Sequence, residues 1–310
     1  MLARIAAITL NTYREAVRAR VLHGLFALAL ATGGYALVVG AFAVRNSKRV
    51  VGDVGAMSIS AYGVIVAVVL GATSLYRELE LKTIFPILAR PLRRSEYLVG
   101  KYLGTLLTLF VFIAANTGAL LLALAGLADR PLGLVIGVAL GSLAPLVLFA
   151  WRVPALRSYL PIPWAMLVLV VGFMLASGAP DDRRVLIGSA ALTLCEVSIV
   201  AGIATLFASF SSPFLTAVFT FALFVVGRSA DTLANLPARV FGQAIKSLGQ
   251  GLSKVVPNLM LYVPPRPLLT GEQAATPLAD YLLLSVLHAA LWSAGLLIVA
   301  SLIFRRRDFL

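Results

Sequence analysis

The chain has 310 residues, of which 60% are hydrophobic and only 13% charged, and its mean hydropathy is +0.97. A soluble domain is about half apolar and a quarter charged, so this composition excludes a large water-soluble catalytic domain and points to an all-α polytopic membrane protein. The net charge of +13 does not mark a nucleic-acid binder, because the basic residues gather at the ends of apolar runs, where they set orientation and meet anionic membrane lipid.

One crossing takes about 20 apolar residues, and the chain reads as a single transmembrane domain over 1–310 with about eight crossings. Residues 1–20 come first, as a helix lying on the membrane surface. Arg4, Asn11, Arg14, Glu15 and Arg18 recur on one side and Ile5, Ile8, Tyr13 and Ala16 on the other; a frayed basic terminus is the alternative. The same polar residues argue against a cleaved signal peptide. A first crossing runs over 22–44 and ends at the polar loop RNSKRVVGD, and a second covers 56–76.

Residues 77–101, RELELKTIFPILARPLRRSEYLVGK, are the one long charged island between two spanning runs. Lipid cannot hold such a segment, so it faces water and offers a docking element. Arg77, Glu78, Glu80 and Lys82 stand beside Leu79, Leu81, Ile84, Phe85, Ile87 and Leu88. That mixture fits a helix pressing an apolar ridge into a partner's groove with charges around the rim; a charged loop without a partner fits equally. Pro91 stops this helix, and Ser95, with Glu96 in the first turn, suits the cap of the next.

The third crossing spans 102–127. Two shorter apolar runs, 131–150 and 161–177, are separated by Trp151, Arg152 and Arg157, and are expected as full crossings or as a re-entrant or tilted pair. Residues 185–209 follow, then the break SFSSP, whose Pro213 suits a first helical position, and a further crossing over 214–227. The segment 229–280 holds an amphipathic helix, with Val240, Ala244, Leu248, Leu252 and Val255 on one face and Arg239, Gln243, Lys246, Gln250 and Lys254 on the other. It is expected to cap the bundle at the outer interface or to form a solvated linker. The last crossing covers 281–304 and ends in RRRDFL.

Charge sets the orientation. With the amino end inside, the inner segments hold more than half of the 26 Lys and Arg residues, concentrated in short loops, which places both termini in the cytoplasm and 229–280 outside.

Three polar residues fall inside apolar runs: Asn116, Glu196 and His288. A charge at Glu196 costs about 2.5 to 3.5 kcal/mol on insertion scales, so the side chain is expected to be neutral, paired, or facing a wet cavity. Pairing with His288, a structural bond between helices, and a place along a substrate path all remain open. The lone Cys195 permits no intrachain disulfide, and two histidines in all, without an H-E-x-x-H or G-x-S-x-G motif, leave no basis for a metal site or a hydrolase. The nearest approach to a phosphate loop, SEYLVGKY, lacks the leading glycine and the closing Ser or Thr.

The string from Tyr76 to Gly104, YRELELKTIFPILARPLRRSEYLVGKYLG, resembles the segment after the second crossing of ABC-2 type transporter permeases, especially the NosY-like permeases. TYREAVRARVLHGLF near the amino end is similar to that family's interfacial elbow helix, and SFSSPF and FRRRDF also fit. The family usually has six crossings, and the apolar pair at 131–178 resembles an insertion that keeps the same parity.

The resemblance implies a permease subunit of the bacterial cytoplasmic (inner) membrane that exports a substrate. It would work as a dimer with a second copy or homologue, and bind a separate cytoplasmic ABC ATPase subunit that holds ATP and Mg. This chain would be neither the ATPase nor any other enzyme, and would need no cofactor of its own. Glu78, Leu79, Glu80, Lys82, Thr83, Phe85 and Leu88 would form the cytoplasmic coupling helix. Arg93, Arg94, Ser95, Gly100 and Lys101 would lead back into the membrane. The alternative is a mechanotransmitting module that works on an extracytoplasmic partner and transports nothing.

Overall fold

The computed structural model describes residues 2–43, 46–80, 93–128, 130–272 and 277–306, without the side chains of 75–80, 238 and 306. The described residues form helices and turns only, as an apolar environment demands: with no water to satisfy backbone N–H and C=O groups, each segment must bond them internally. We number the helices α1 (Leu2–Arg18), α2 (Arg20–Phe42), α3 (Ser47–Glu80), α4 (Arg94–Leu127), α5 (Leu132–Arg152), α6 (Pro161–Leu175), α7 (Pro180–Ala208), α8 (Pro213–Arg228), α9 (Ala230–Ala234), α10 (Ala238–Val255), α11 (Arg266–Thr270) and α12 (Leu278–Arg306).

Seven of these, α2 to α7 and α12, are long and apolar enough to cross a membrane, α6 together with the 3₁₀ turn that extends it. The chain is a multi-pass helical membrane protein. Of the eight expected crossings, seven fall on these helices; the eighth, 214–227, falls on α8, which has 16 residues and reaches about 24 Å at 1.5 Å per residue, short of a ~30 Å hydrocarbon core. Other boundaries also move. Helix α3 begins at Ser47, taking in most of the stretch read as a polar loop, and α7 begins at Pro180. At the other side of the island, α4 starts at Arg94 with Arg93 as its cap, so Ser95 lies inside the helix. Pro213 is the first residue of α8, behind Ser212.

Helix α4 is the most enclosed, followed by α3 and α7, while α2, α5 and α12 turn most of their surface outward. Close crossings need small residues. Gly71 of α3 faces Ala204 of α7, and Gly118 of α4 meets Gly172 of α6, where a Cβ at Gly172 would lie 2.8 Å from the Gly118 carbonyl oxygen. Phe26 of α2 packs edge-on against Phe112 and Trp164, joining α2 to α4 and α6.

The two ends of the bundle differ. At one, the terminal end, α1 lies across the start of α4, and Arg94 Nη1 donates to the carbonyls of Phe304 and Arg305, both at 3.1 Å. Tyr97 stacks on Phe304 beside these bonds. The α5–α6 link belongs to the same end, where Arg18 Nε donates to Ser158 Oγ at 3.3 Å. The opposite, distal end is covered by 229–272. There α9 and α10 fold back on one another, with Gly249 of α10 against the Leu233 carbonyl, and α10 bends at Gly242, whose φ of 82° suits glycine.

Candidate functional site

Two places gather polar side chains within this bundle. The first is the terminal-end junction from which the island departs. Gly100 and Gly104, one helical turn apart on α4, form a groove for α1: a Cβ at Gly100 would lie 2.7 Å from Ile8 Cβ, and one at Gly104 2.5 Å from Thr12 Cβ. The docked α1 buries Thr12, Tyr13 and Ala16 and brings Glu15 to Lys101. The Lys101 ammonium is buried, lies 3.3 Å from Glu15 Oε2, and donates to the Ser74 carbonyl at 3.4 Å. One lysine thus joins α1, α4 and the end of α3. Burial without a hydrogen-bond partner pushes the Tyr13 phenol well above its ordinary pKa. Glu96 Oε2, Tyr97 OH and Ser74 Oγ are also buried without a hydrogen-bond partner among the described residues.

Of the expected coupling residues, Glu78, Leu79 and Glu80 form the last residues of α3, and Lys82, Thr83, Phe85 and Leu88 lie outside the described residues. Arg93, Arg94, Ser95, Gly100 and Lys101 fall within the first two turns of α4 and its cap.

The second place is a cavity of about 840 Å³ at the distal end between α3, α7, α8 and the segment 260–269, a size typical of small-molecule sites. Behind its wall lies Glu196, fully buried in α7. Arg228, at the end of α8, donates Nε to Glu196 Oε1 at 2.6 Å and Nη2 to Oε2 at 2.9 Å, a fork-to-fork pair. Ser60 of α3 completes it, donating to Glu196 Oε2 at 3.2 Å and accepting from Arg228 Nη2 at 2.9 Å. The expected alternative, a pair between Glu196 and His288, is corrected: His288 Nδ1 lies 2.8 Å from Tyr262 OH instead. Asn116 donates to the Phe112 carbonyl of its own helix at 2.8 Å and is buried there, so it does not reach the cavity.

At the mouth, Arg266 of α11 hydrogen-bonds both Asp53 of α3 and Asp182 of α7. Burial alone would lower the Arg266 pKa, but its two carboxylate partners raise it overall. Arg49 stands one turn from Asp53 at 3.7 Å. No family model matches the chain, and no curated protein matches it.

The functional residues missed from sequence are Ser60, Arg228, Arg49, Asp53, Asp182 and Arg266. Arg228 closes an apolar run, where a membrane-edge anchor is equally expected, and Asp53 sits in a stretch that reads as a loop. The one available signal was arithmetical: Glu196 needs a cation, and Arg228 lies at the far end of the next helix. Chemically, the cavity joins a paired but accessible guanidinium to apolar walls, which is the make-up of a binding site. Among the described residues there is no group of three or more His, Cys, Asp or Glu side chains placed to hold a metal.

Proposed function

We propose that the chain is the membrane-spanning permease subunit of an ABC-2 type transporter in a bacterial cytoplasmic membrane, with both termini inside and a separate ATPase bound at the terminal end. The resemblance of Tyr76–Gly104 to the coupling segment of that family carries the reading. Its physical support is the junction around Lys101: a push on the island acts on the ends of α3 and α4, and Lys101 ties both to α1. ATP and Mg belong to the partner. Two permease copies and two ATPases form the working unit, and closure of the ATPases is passed through Glu78, Glu80 and Lys82 to the helices, driving export.

The test is co-purification with a soluble ATPase and measurement of its turnover. The permease should stimulate that turnover, and Glu80→Lys should return it to the level of the isolated ATPase while leaving membrane insertion intact. Normal stimulation in the variant sinks the assignment. A second reading, work on an extracytoplasmic partner without transport, draws on α10, whose Val240, Leu248 and Val255 are exposed at the distal end. Purified complex that hydrolyses ATP normally but moves no compound into vesicles would favour it.

A further inference from the structure

We infer that the distal cavity is a binding site for one zwitterionic glycerophospholipid, taken from the leaflet on the distal side and held within a single copy of the chain. The inference does not depend on an ATPase partner. It rests on the order in which polarity changes along the cavity wall. The rim is charged, with Arg49, Asp53 and Arg266. Seven residues further along α3, about 10 Å at 1.5 Å per residue, lie the hydroxyl of Ser60 and, beside it, the guanidinium of Arg228. Beyond these, a further ~7 Å along the helix, the wall is Val64, Ile65 and Phe221. Charge, hydrogen-bond donors and hydrocarbon follow one another in the order of a phospholipid's headgroup, ester carbonyls and acyl chains.

Each layer has spare capacity. Arg228 uses Nε and Nη2 on Glu196 and Ser60, and among the described residues Nη1 has no partner, which leaves a donor for an ester carbonyl. At the rim, Arg266 is engaged by two carboxylates, whereas among the described residues Arg49 has only the 3.7 Å contact to Asp53, and the Arg49 and Asp53 side chains are 60% and 38% exposed. One accessible cation and one accessible carboxylate stand side by side there. Arg49, Asp53, Arg228 and Arg266 line the cavity, and two carboxylates behind the wall neutralise two of the arginines, Glu196 on Arg228 and Asp182 on Arg266, so Arg49 and Asp53 balance one another and a net anion would go uncompensated. A headgroup with both signs fits, its phosphate on Arg49 and its ammonium on Asp53. Met57, Ile65 and Phe221 line the cavity and are exposed, which gives acyl chains a sideways path from the bilayer.

The experiment is native mass spectrometry of the full chain purified in mild detergent, with phosphatidylethanolamine and phosphatidylglycerol of identical chains as probes. The chain should retain one phosphatidylethanolamine with about tenfold preference, the yield of roughly one extra charged contact. Ile65→Trp, an exposed position that tolerates bulk, should abolish retention by filling the hydrocarbon layer. Asp53→Asn should keep a bound lipid and lose the preference. Glycerophosphoethanolamine, the headgroup without chains, should not displace the lipid. Equal retention of both lipids means a merely annular contact and overturns the proposal. So does unchanged retention in Ile65→Trp, a preference that survives Asp53→Asn, or displacement by the chainless headgroup.

Discussion

Glu196 is buried, its charge answered by one arginine and one serine from two other helices. Removing one partner of such a pair costs more than the pair contributes, because the other charge is left unpaired in a poor solvent. Arg228 keeps a quarter of its side-chain surface exposed, so water softens the penalty. Glu196→Ala should lower stability by about 3 kcal/mol, read as an earlier thermal transition in detergent. Glu196→Gln, whose amide oxygen still accepts from Arg228, should lose clearly less. Equal transitions in wild type and both variants would show that the pair contributes nothing. That Glu196 needs some compensation was legible in the sequence, since a carboxylate at the centre of an apolar run must be neutral, paired or wet. The partner's identity was not: the choice between Arg228 and His288 depends on how far α8 reaches, and residue order does not state helix depth.

Among the elements, centres were legible and ends were not. Hydrophobicity marks the part of a helix that lies in lipid, but a helix stops where its backbone bonds stop. Helix α3 therefore starts nine residues before the expected Ala56, at Ser47, and α4 begins before its predicted cap. Helix α1 was legible as amphipathic, yet what its apolar face meets was not: Ile8 and Thr12 pack on α4. The G-x-x-x-G of Gly100 and Gly104 acquires its reason from that contact: no side chain fits between the two helices there. Gly104→Leu should lift α1 from α4, since overfilling a tight contact costs about 1 to 3 kcal/mol, and the Lys101–Glu15 pair should open with it. The measurement is maleimide labelling of Ala16→Cys in a Cys195→Ser background. Ala16 is buried against the bundle, so labelling should be slow in the parent and fast with Gly104→Leu. Equal rates in the two would show that α1 does not depend on the groove.

At the scale of the whole molecule, the seven long helices and the short α8 make a question of parity. Seven crossings alone would leave the amino and carboxyl ends on opposite sides. Yet Arg94, beside the docked α1, bonds the carbonyls of Phe304 and Arg305, so both ends of the chain meet at the terminal end. Helix α8 resolves this. It starts from the terminal end after α7, and Arg228 at its far end stops level with Glu196, where the ion pair replaces the water that a charge at that depth would otherwise need. From there α9 and the segment around Tyr262, whose hydroxyl donates to the Ser285 carbonyl of α12, lead on to the last helix. The prediction is therefore eight passages with seven long helices. Single cysteines in a Cys195→Ser background test this directly. Leu156→Cys, exposed at the terminal end, and Gln250→Cys, exposed on α10 at the distal end, should react with a membrane-impermeant maleimide from opposite sides. Gln250→Cys should label in intact cells and Leu156→Cys only in inverted vesicles. A tag after the last residue should follow Leu156→Cys; if it follows Gln250→Cys instead, α8 does not complete a passage and the carboxyl end lies on the other side.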